Sequence, residues 1–311
     1  MRLLIAMNQP VKATIWRWPA SSTLRLRERF PGLEVVDDAE LPGAFAEADA
    51  IVAWQLPTDW RRRAPRLRWV HCPSAAVHQL LTPELVSSDV VVTNGASVHA
   101  TTVAEHTLAL MLALARDLPR AVEDQRKRRW QPSTFLPQLS TLAGAQVLIV
   151  GMGNIGRALA PMLGGLGMQV EGLRRSEADQ LEVRLPHADY VILALPVTPG
   201  TQTRFAAPQF AAMRPGARLV NIGRGQSLDE TALLAALDGG RLAGAALDVF
   251  TTEPLPDDSP LWRHPRLLLT PHIAAASPHT WIRQADLVAH HLRQFLAGAP
   301  LAPQIDKVRG Y

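Results

Sequence analysis

Short apolar runs, separated by polar or proline-bearing turns, recur along the whole chain. Four lie in the first hundred residues, and six more alternate with helical patterns further on. Runs that are apolar at every position, with helices between them, are typical of parallel strands covered on both faces. The sequence therefore predicts an α/β protein with strands near residues 3–7, 48–54, 67–72, 90–94, 145–151, 168–173, 188–196, 217–223, 242–250 and 266–272.

An apolar helical pattern interrupts this alternation near residue 95. Thr102 and Glu105 have the spacing of a capping box, which predicts that the helix opens there and runs to about Arg116. A helix in this place leaves one folding unit and enters the next. We therefore expect a domain boundary close to residue 95.

The two ends of the chain are expected to join in one domain. A second helical pattern, at 281–295, comes late enough in the sequence to return to the first unit. We expect residues 95–281 to form a doubly wound α/β domain. Residues 1–94, completed by 282–311, should form a smaller α/β domain.

The composition is that of a globular protein, and it argues against several classes of function. Of the 311 residues, 47% are hydrophobic and 19% are charged. Cys72 is the single cysteine, so the sequence offers no disulfide and no thiolate-rich metal site, as expected of the reducing cytoplasm. The histidines lack metal-ligand spacing, so we expect no metal.

Neither a membrane nor a nucleic acid is an expected partner. No apolar run approaches the ~20 residues that cross a bilayer. The net charge is +4, from 32 basic and 28 acidic residues, and the basic runs at 61–68 and 126–129 lack interleaved aromatic residues or a nucleic-acid motif. We interpret both runs as solvated basic surface.

A glycine-rich turn, GMGNIG, follows the first strand of the second unit. Its G-x-G-x-x-G spacing permits a tight turn and a close approach of a pyrophosphate, while the helix that follows offers its amides. Strand, turn, helix and next strand come in the order that dinucleotide binding requires. The predicted contacts are Gly151, Gly153, Asn154, Ile155 and Gly156.

The residues after the next strand, MQVEGL, predict which cofactor is preferred. NAD-binding domains carry an acidic residue there, which accepts hydrogen bonds from the ribose 2′-hydroxyl. This chain has Arg174, Arg175 and Ser176 instead, which suit the additional phosphate of NADP. Glu171 and Glu177 are the acidic alternatives, but neither stands at the expected place. We therefore expect NADPH to be preferred, with NAD as a second cofactor.

Three downstream segments carry polar residues at predicted strand ends, namely NIGRGQSLDETAL (221–233), LDVFTTEPL (247–255) and TPHIAAAS (270–277). With GMGNIG before them, they resemble the D-2-hydroxyacid dehydrogenase family. The resemblance extends to NGASVHATTVAEHTLALML (94–112) and to LPVTPGT (195–201). It therefore covers essentially the whole chain. It implies that residues 95–281 are a Rossmann domain that binds NAD(P), and that residues 1–94, completed by 282–311, are a flavodoxin-like domain that binds the substrate.

The resemblance implies three catalytic residues. Arg224 would bind the substrate carboxylate and polarise its carbonyl, His272 would donate and accept the proton, and Glu253 would pair with His272. Ketone reduction needs a fixed cation and an acid that works near neutral pH, which are the chemical properties of these side chains. Each residue alone could be a surface arginine, a turn carboxylate or a hydrogen-bonded histidine. Their joint occurrence at strand ends favours catalysis.

The resemblance also implies the remaining contacts. The substrate carboxylate would meet backbone amides of the loop HCPSAAVHQL, with Ser74, Ala75 and Ala76 beside Arg224 and His272 as substrate-binding residues. Alanine where the family usually has glycine narrows the permitted backbone angles. Asp248 would lie near the nicotinamide. The other implied cofactor contacts are Leu195, Pro196 and Ile222.

TPHIAAAS and the short chain resemble the glyoxylate and hydroxypyruvate reductase branch of the family. One alternative is a larger 2-oxo acid such as phenylpyruvate, with Trp54 and Trp281 facing the pocket. A second is a nucleotide-sensing corepressor, which uses the same fold as an interaction surface. The family also implies a homodimer, formed through the nucleotide domain and the helix near Thr102.

Overall fold

The computed structural model divides the chain into two compact units. One comprises Met1–His99 with Ala276–Tyr311, and the other comprises Ala100–Ala275. The boundaries that we predicted, at 94 and 281, lie close to these divisions, while the assignment of the substrate to the smaller unit stays a prediction. The structure describes residues 1–7, 14–37, 44–198 and 200–310.

Strands and helices alternate through the described residues. The strands are β1 (Arg2–Ala6), β2 (Glu34–Asp37), β3 (Ala50–Ala53), β4 (Trp69–Cys72), β5 (Val91–Asn94), β6 (Gln146–Val150), β7 (Gln169–Leu173), β8 (Tyr190–Leu193), β9 (Ala217–Asn221), β10 (Leu242–Leu247) and β11 (Leu267–Leu269). The α-helices are α1 (Ala20–Arg29), α2 (Trp60–Arg63), α3 (Pro83–Val86), α4 (Ala96–Ala115), α5 (Leu118–Arg126), α6 (Asn154–Gly165), α7 (Leu181–Arg184), α8 (Ala207–Ala212), α9 (Glu230–Asp238) and α10 (Thr280–Leu296).

The first unit contains a five-stranded parallel sheet in the order β2-β1-β3-β4-β5. This is the doubly wound order of flavodoxin-like domains. β3 and β4 are buried at every position, because apolar residues cover both faces of the sheet. On one face the cover includes Ala285, Val288 and Leu292 of α10, so the end of the chain completes this unit.

The second unit contains a six-stranded parallel sheet in the order β11-β10-β9-β8-β6-β7. The order of the strands reverses at β6, between β7 and β8, which makes this the switch point where ligands bind in doubly wound sheets. Two apolar clusters cover the two faces of the sheet. The predicted fold class, two α/β domains of which one is of the Rossmann type, is confirmed.

Helix α4 begins at Ala96 rather than at Thr102. Thr102 and Glu105 lie inside the helix, so the capping-box interpretation was wrong. The side-chain oxygen of Asn94 accepts a hydrogen bond from the Ala96 amide at 3.3 Å, and this satisfies a donor of the first turn. A side chain at the end of β5 therefore supplies the cap that the sequence pattern assigned to Thr102.

The same helix, α4, is long and apolar enough to cross a membrane by length and composition alone. Within the protein, 44% of its apolar window is buried. Val103, Ala104, Leu110 and Met111 pack into the core of the second unit. A core helix passes the same test of length and composition, so this is weak evidence for a membrane.

Candidate active site

The glycine-rich turn lies at the switch point of the second sheet. Gly151 follows β6 with φ at +112°, and a Cβ atom there would lie 2.5 Å from the carbonyl oxygen of Ala194, which follows β8. A Cβ at Gly156 would lie 2.6 Å from the oxygen of Gly151. Neither place admits a side chain without a shift of backbone, so the turn depends on glycine.

The same turn leaves room for a phosphate group. A Cβ added to Gly153 would meet nothing within 4 Å, and Gly153 and Asn154 are both exposed. α6 begins at Asn154, so its first amides and the positive end of its dipole lie beside this space. These residues fit a dinucleotide cofactor.

Three exposed residues, Arg174, Arg175 and Ser176, follow β7. Glu177 accepts hydrogen bonds from the Arg174 amide at 3.0 Å and from the Arg184 guanidinium at 3.3 Å, and both hold its pKa below the usual value. Glu171 pairs with Arg184 at 3.2 Å. Both acidic alternatives for the ribose contact are thus engaged by the same arginine.

The backbone of Arg224 is held close to the segment that follows β10. A Cβ atom at Gly225 would overlap the carbonyl group of Phe250, so only glycine allows the two segments to approach. The carbonyl oxygen of Arg224 accepts hydrogen bonds from Asn221 at 3.1 Å and from the hydroxyl of Ser227 at 2.6 Å. Arg224 is therefore placed by its backbone, and its side chain donates to the carbonyl oxygen of Gly223 at 2.6 Å.

Glu253 and His272 form the pair that the resemblance implied. The Nδ1 atom of His272 lies 2.6 Å from one carboxylate oxygen of Glu253, and the other oxygen accepts from the Phe250 amide at 2.9 Å. Burial would raise the pKa of Glu253, but the bond from His272, the Phe250 amide and the charges of His272 and Arg224 hold it below the usual value. With Nδ1 donating to the carboxylate, Nε2 is the ring nitrogen to which the predicted proton exchange would fall, and that role stays a prediction.

The Asp248 side chain is 1% exposed and holds the turn that carries His272. Its carboxylate accepts hydrogen bonds from the hydroxyl of Thr270 at 2.6 Å and from the amides of Ile273 at 3.0 Å and Ala274 at 2.9 Å. His106 Nε2 lies 3.5 Å away. Burial would raise the pKa of Asp248, but these donors outweigh it and hold the pKa low.

The turn needs such support because His272 has φ at +52°. This left-handed conformation is uncommon for residues other than glycine and persists only where the surroundings impose it. Asp248 binds the residues on both sides of His272. Its implied contact with the nicotinamide stays a prediction.

The predicted substrate loop lies in the first unit, after β4. Ala75 and Ala76 are not among the described residues with positive φ, so alanine in place of glycine strains nothing there. The carbonyl oxygen of Ala75 accepts a hydrogen bond from the Asn94 side chain at 2.8 Å, and the Ser74 hydroxyl accepts one from the Ala76 amide at 3.2 Å.

Comparison with known proteins identifies the family of this chain. A family model described as "D-isomer specific 2-hydroxyacid dehydrogenase, NAD binding domain" matches residues 108–274, which is more than half of the chain. The chain belongs to this dehydrogenase family. It is an NAD(P)-dependent oxidoreductase, and the family predicted from the motifs is confirmed.

Similar proteins come from more than one branch of the family. This dehydrogenase is 34% identical over 294 residues to glyoxylate/hydroxypyruvate reductase B of Citrobacter koseri, covering 88% of this chain and 91% of that protein. It is 31% identical over 280 residues to D-3-phosphoglycerate dehydrogenase of Synechocystis, covering 85% of this chain and 50% of that protein. The chain spans about half the length of the phosphoglycerate dehydrogenases that it matches.

Solved structures give the same fold. The NADPH-dependent glyoxylate/hydroxypyruvate reductase of Sinorhizobium meliloti, in complex with NADP and sulfate, has a TM-score of 0.84 and 30% identity. The alignment covers 100% of this dehydrogenase and 99% of that chain.

Other predicted cofactor residues also meet at the end of the second sheet. A Cβ at Gly223 would lie 2.7 Å from the oxygen of Leu195, so the segment of Leu195 and Pro196 lies against the one that contains Ile222. The sequence interpretation missed the contact of His106 with Thr270 at 3.1 Å. Thr270 lies in the TPHIAAAS motif, but nothing in that motif indicates a partner in α4.

Replacing Asp248 by asparagine should disable the turn while leaving the shape of the side chain intact. An amide offers one acceptor where the carboxylate offers two, so at least one buried amide loses its partner, at a cost of about 1–3 kcal/mol. We expect kcat to fall at least about tenfold, and the dissociation constant for NADPH to change by less than kcat does. Weaker NADPH binding with an unchanged kcat would instead assign Asp248 to the cofactor.

Proposed function

We propose that the protein reduces a small 2-oxo acid, glyoxylate or hydroxypyruvate, to the D-2-hydroxy acid with NADPH. The observation that carries this proposal is the 2.6 Å contact of His272 with Glu253, whose pKa is lowered in part by the charge of Arg224. These residues follow strands of the same sheet as the glycine turn that fits a dinucleotide.

The chemistry divides among three side chains. Arg224 keeps its charge at all relevant pH values and binds the carboxylate of the 2-oxo acid while polarising the neighbouring carbonyl. NADPH, when bound, supplies the hydride that the carbonyl carbon receives. His272 gives its Nε2 proton to the carbonyl oxygen, and Glu253 stabilises the protonated imidazole before transfer. We also assign the backbone amides of Ser74 and Ala75 to the substrate carboxylate, whereas the amide of Ala76, the third predicted residue, already donates to the Ser74 hydroxyl.

The alternatives have weaker support. Trp54 and Trp281 lie in edge contact with each other, with ring centroids 6.4 Å apart, and Trp281 also contacts Trp18 at 5.7 Å. These contacts favour a packing role over a pocket for phenylpyruvate. A nucleotide-sensing corepressor would not need the proton-transfer pair, so the intact pair of Glu253 and His272 favours turnover.

The direct test is NADPH oxidation with glyoxylate, hydroxypyruvate and phenylpyruvate. We expect the first two to react with the higher kcat/KM. His272→Gln should lower kcat by about 100-fold or more, because proton transfer occurs only in the transition state, while NADPH affinity stays unchanged. His187→Gln is the matched control. His187 is exposed and precedes β8, so it lies at the amino ends of the strands, opposite the ends that carry the candidate site.

Two results would contradict the proposal. If the nucleotides bind but no 2-oxo acid supports the oxidation of NADPH or NADH, the result favours the corepressor alternative. If His272→Gln keeps the rate of His187→Gln, His272 is not the proton donor.

The preference for NADPH rests on Arg174 and Arg175, which are exposed after β7, and on the engagement of Glu171 and Glu177 by Arg184. Arg174→Asp should reverse the ratio of kcat/KM for NADPH and NADH, because a carboxylate repels the additional phosphate and accepts from the ribose hydroxyl. Arg263→Asp, before β11, is the control with the same charge change. A native enzyme that uses both cofactors equally would refute the preference.

We also propose a homodimer that uses α4, α5 and the segment after them. Large apolar side chains are exposed there, including Trp130 at 92% and Leu136 at 75%, together with Leu118 and Val122. Exposed apolar clusters of this kind mark association surfaces. Sedimentation velocity at micromolar concentration should give a dimer for the native protein and a folded monomer for Trp130→Glu. A native monomer would reject the proposal.

A further inference from the structure

The loop after β4 has its carbonyl groups tied to neighbouring segments of the first unit. The oxygens of Cys72 and Ser74 accept from the Gly95 amide at 2.9 and 3.2 Å, and the oxygen of Ala75 accepts from Asn94. Among the described residues, the amides of Ser74 and Ala75 donate to no protein atom. Both residues are partly exposed. The loop thus has bound carbonyl groups and two amides that remain open to a ligand.

The carbonyl oxygen of Pro73 is contacted by two buried side chains. Gln284 of α10 donates to it through Nε2 at 2.7 Å. Nε2 of His99, on α4, lies 2.8 Å from the same oxygen and 3.0 Å from Nε2 of Gln284, and it donates to the oxygen in the tautomer that carries the hydrogen on Nε2. Gln284 is 0% exposed and His99 is 6% exposed. Two buried side chains, distant in sequence, therefore converge on one backbone oxygen.

A chain of hydrogen bonds fixes the direction in which Gln284 points. The indole of Trp69 can only donate, and its acceptor is the Thr93 hydroxyl at 2.9 Å. Thr93 is 0% exposed, and the acceptor for the hydrogen of its hydroxyl is Nδ1 of His71 at 2.9 Å. Nε2 of His71 therefore carries the hydrogen and donates to the amide oxygen of Gln284 at 3.3 Å. The amide nitrogen of Gln284 is left to face Pro73.

His71 must stay neutral for this chain to hold. Burial, and then the neighbouring His291, lower the pKa of His71 to about 3, so it carries no charge at any pH where the enzyme would work. The orientation of the Gln284 amide is consequently independent of pH across the neutral range.

The contacts that fix the carbonyl group of Pro73 also fix the direction of the Ser74 amide. Pro73 O and Ser74 N–H belong to one planar trans peptide unit and point in opposite directions. We propose that Gln284 and His99 are positioning residues that aim the Ser74 amide at the substrate carboxylate. This inference rests on the proposed function for its ligand, but the contacts that carry it lie wholly within the first unit.

Gly95 lies against the contact between Gln284 and the carbonyl oxygen of Pro73. A Cβ atom there would overlap both Nε2 of Gln284 and the oxygen of Pro73. Gly95→Ala must therefore separate Nε2 of Gln284 from the oxygen of Pro73, while Gln284 and Pro73 themselves stay unsubstituted. It provides a second, independent way to release the Pro73 carbonyl.

The test compares Gln284→Met and Gly95→Ala with Val288→Ala. Methionine keeps the volume of Gln284 but lacks its donor, while Val288, on the same helix and 0% exposed, makes only apolar contacts and controls for lost stability. We expect KM for glyoxylate and hydroxypyruvate to rise about tenfold in the two test variants. Both kcat and KM for NADPH should stay near native values, because the amide binds the carboxylate equally in ground and transition states.

Oxalate binding, measured by calorimetry with NADP present, separates this inference from the proposed function. We expect its dissociation constant to rise about tenfold in Gln284→Met and Gly95→Ala but not in Val288→Ala. A native protein that binds oxalate without reducing any 2-oxo acid would defeat the function and keep the inference. If both test variants match Val288→Ala, or the native protein does not bind oxalate, the inference is wrong.

Discussion

A parallel sheet brings the carboxyl ends of all its strands to one edge, and both units of this protein depend on that constraint. In the second unit the glycine turn follows β6, Arg224 follows β9, Glu253 follows β10 and His272 follows β11. These residues are distant in sequence, yet the direction of the strands gathers them. In the first unit the same constraint places the loop after β4 beside Asn94 and Gly95 after β5.

At the carboxyl ends of the strands, buried polar groups rather than apolar packing fix the backbone segments of the candidate site. The left-handed conformation of His272 costs about 1–3 kcal/mol, and the donors that surround Asp248 offset it. The carbonyl of Pro73 is held in a comparable way by Gln284 and His99. In both places a residue that touches no reacting atom fixes the geometry of a backbone segment that we assign to the substrate or the proton.

Periodicity and motif spacing predicted ten of the eleven strands in the described part of the chain, the fold class and the family, because these depend on local patterns; the four-residue β2, Glu34–Asp37, was missed. The start of α4 could not be obtained in this way, since Asn94 competes with Thr102 as the cap and only the three-dimensional structure decides between them. The partners of His106 and Gln284 were also missed. They lie 164 and 211–213 residues away, and such pairs depend on the order of strands in the sheet, which local patterns do not specify.

The first unit is discontinuous, because α10 supplies part of its core and Gln284 completes its polar network. During synthesis, residue 284 leaves the ribosome only after the whole of Ala100–Ala275 has been made. The continuous second unit can therefore fold while the chain is still growing, as domains generally do. The carbonyl of Pro73 must wait for Gln284, although Asn94 and Gly95 can already bind the neighbouring carbonyls, so the part of the protein made first is the last to acquire its final structure.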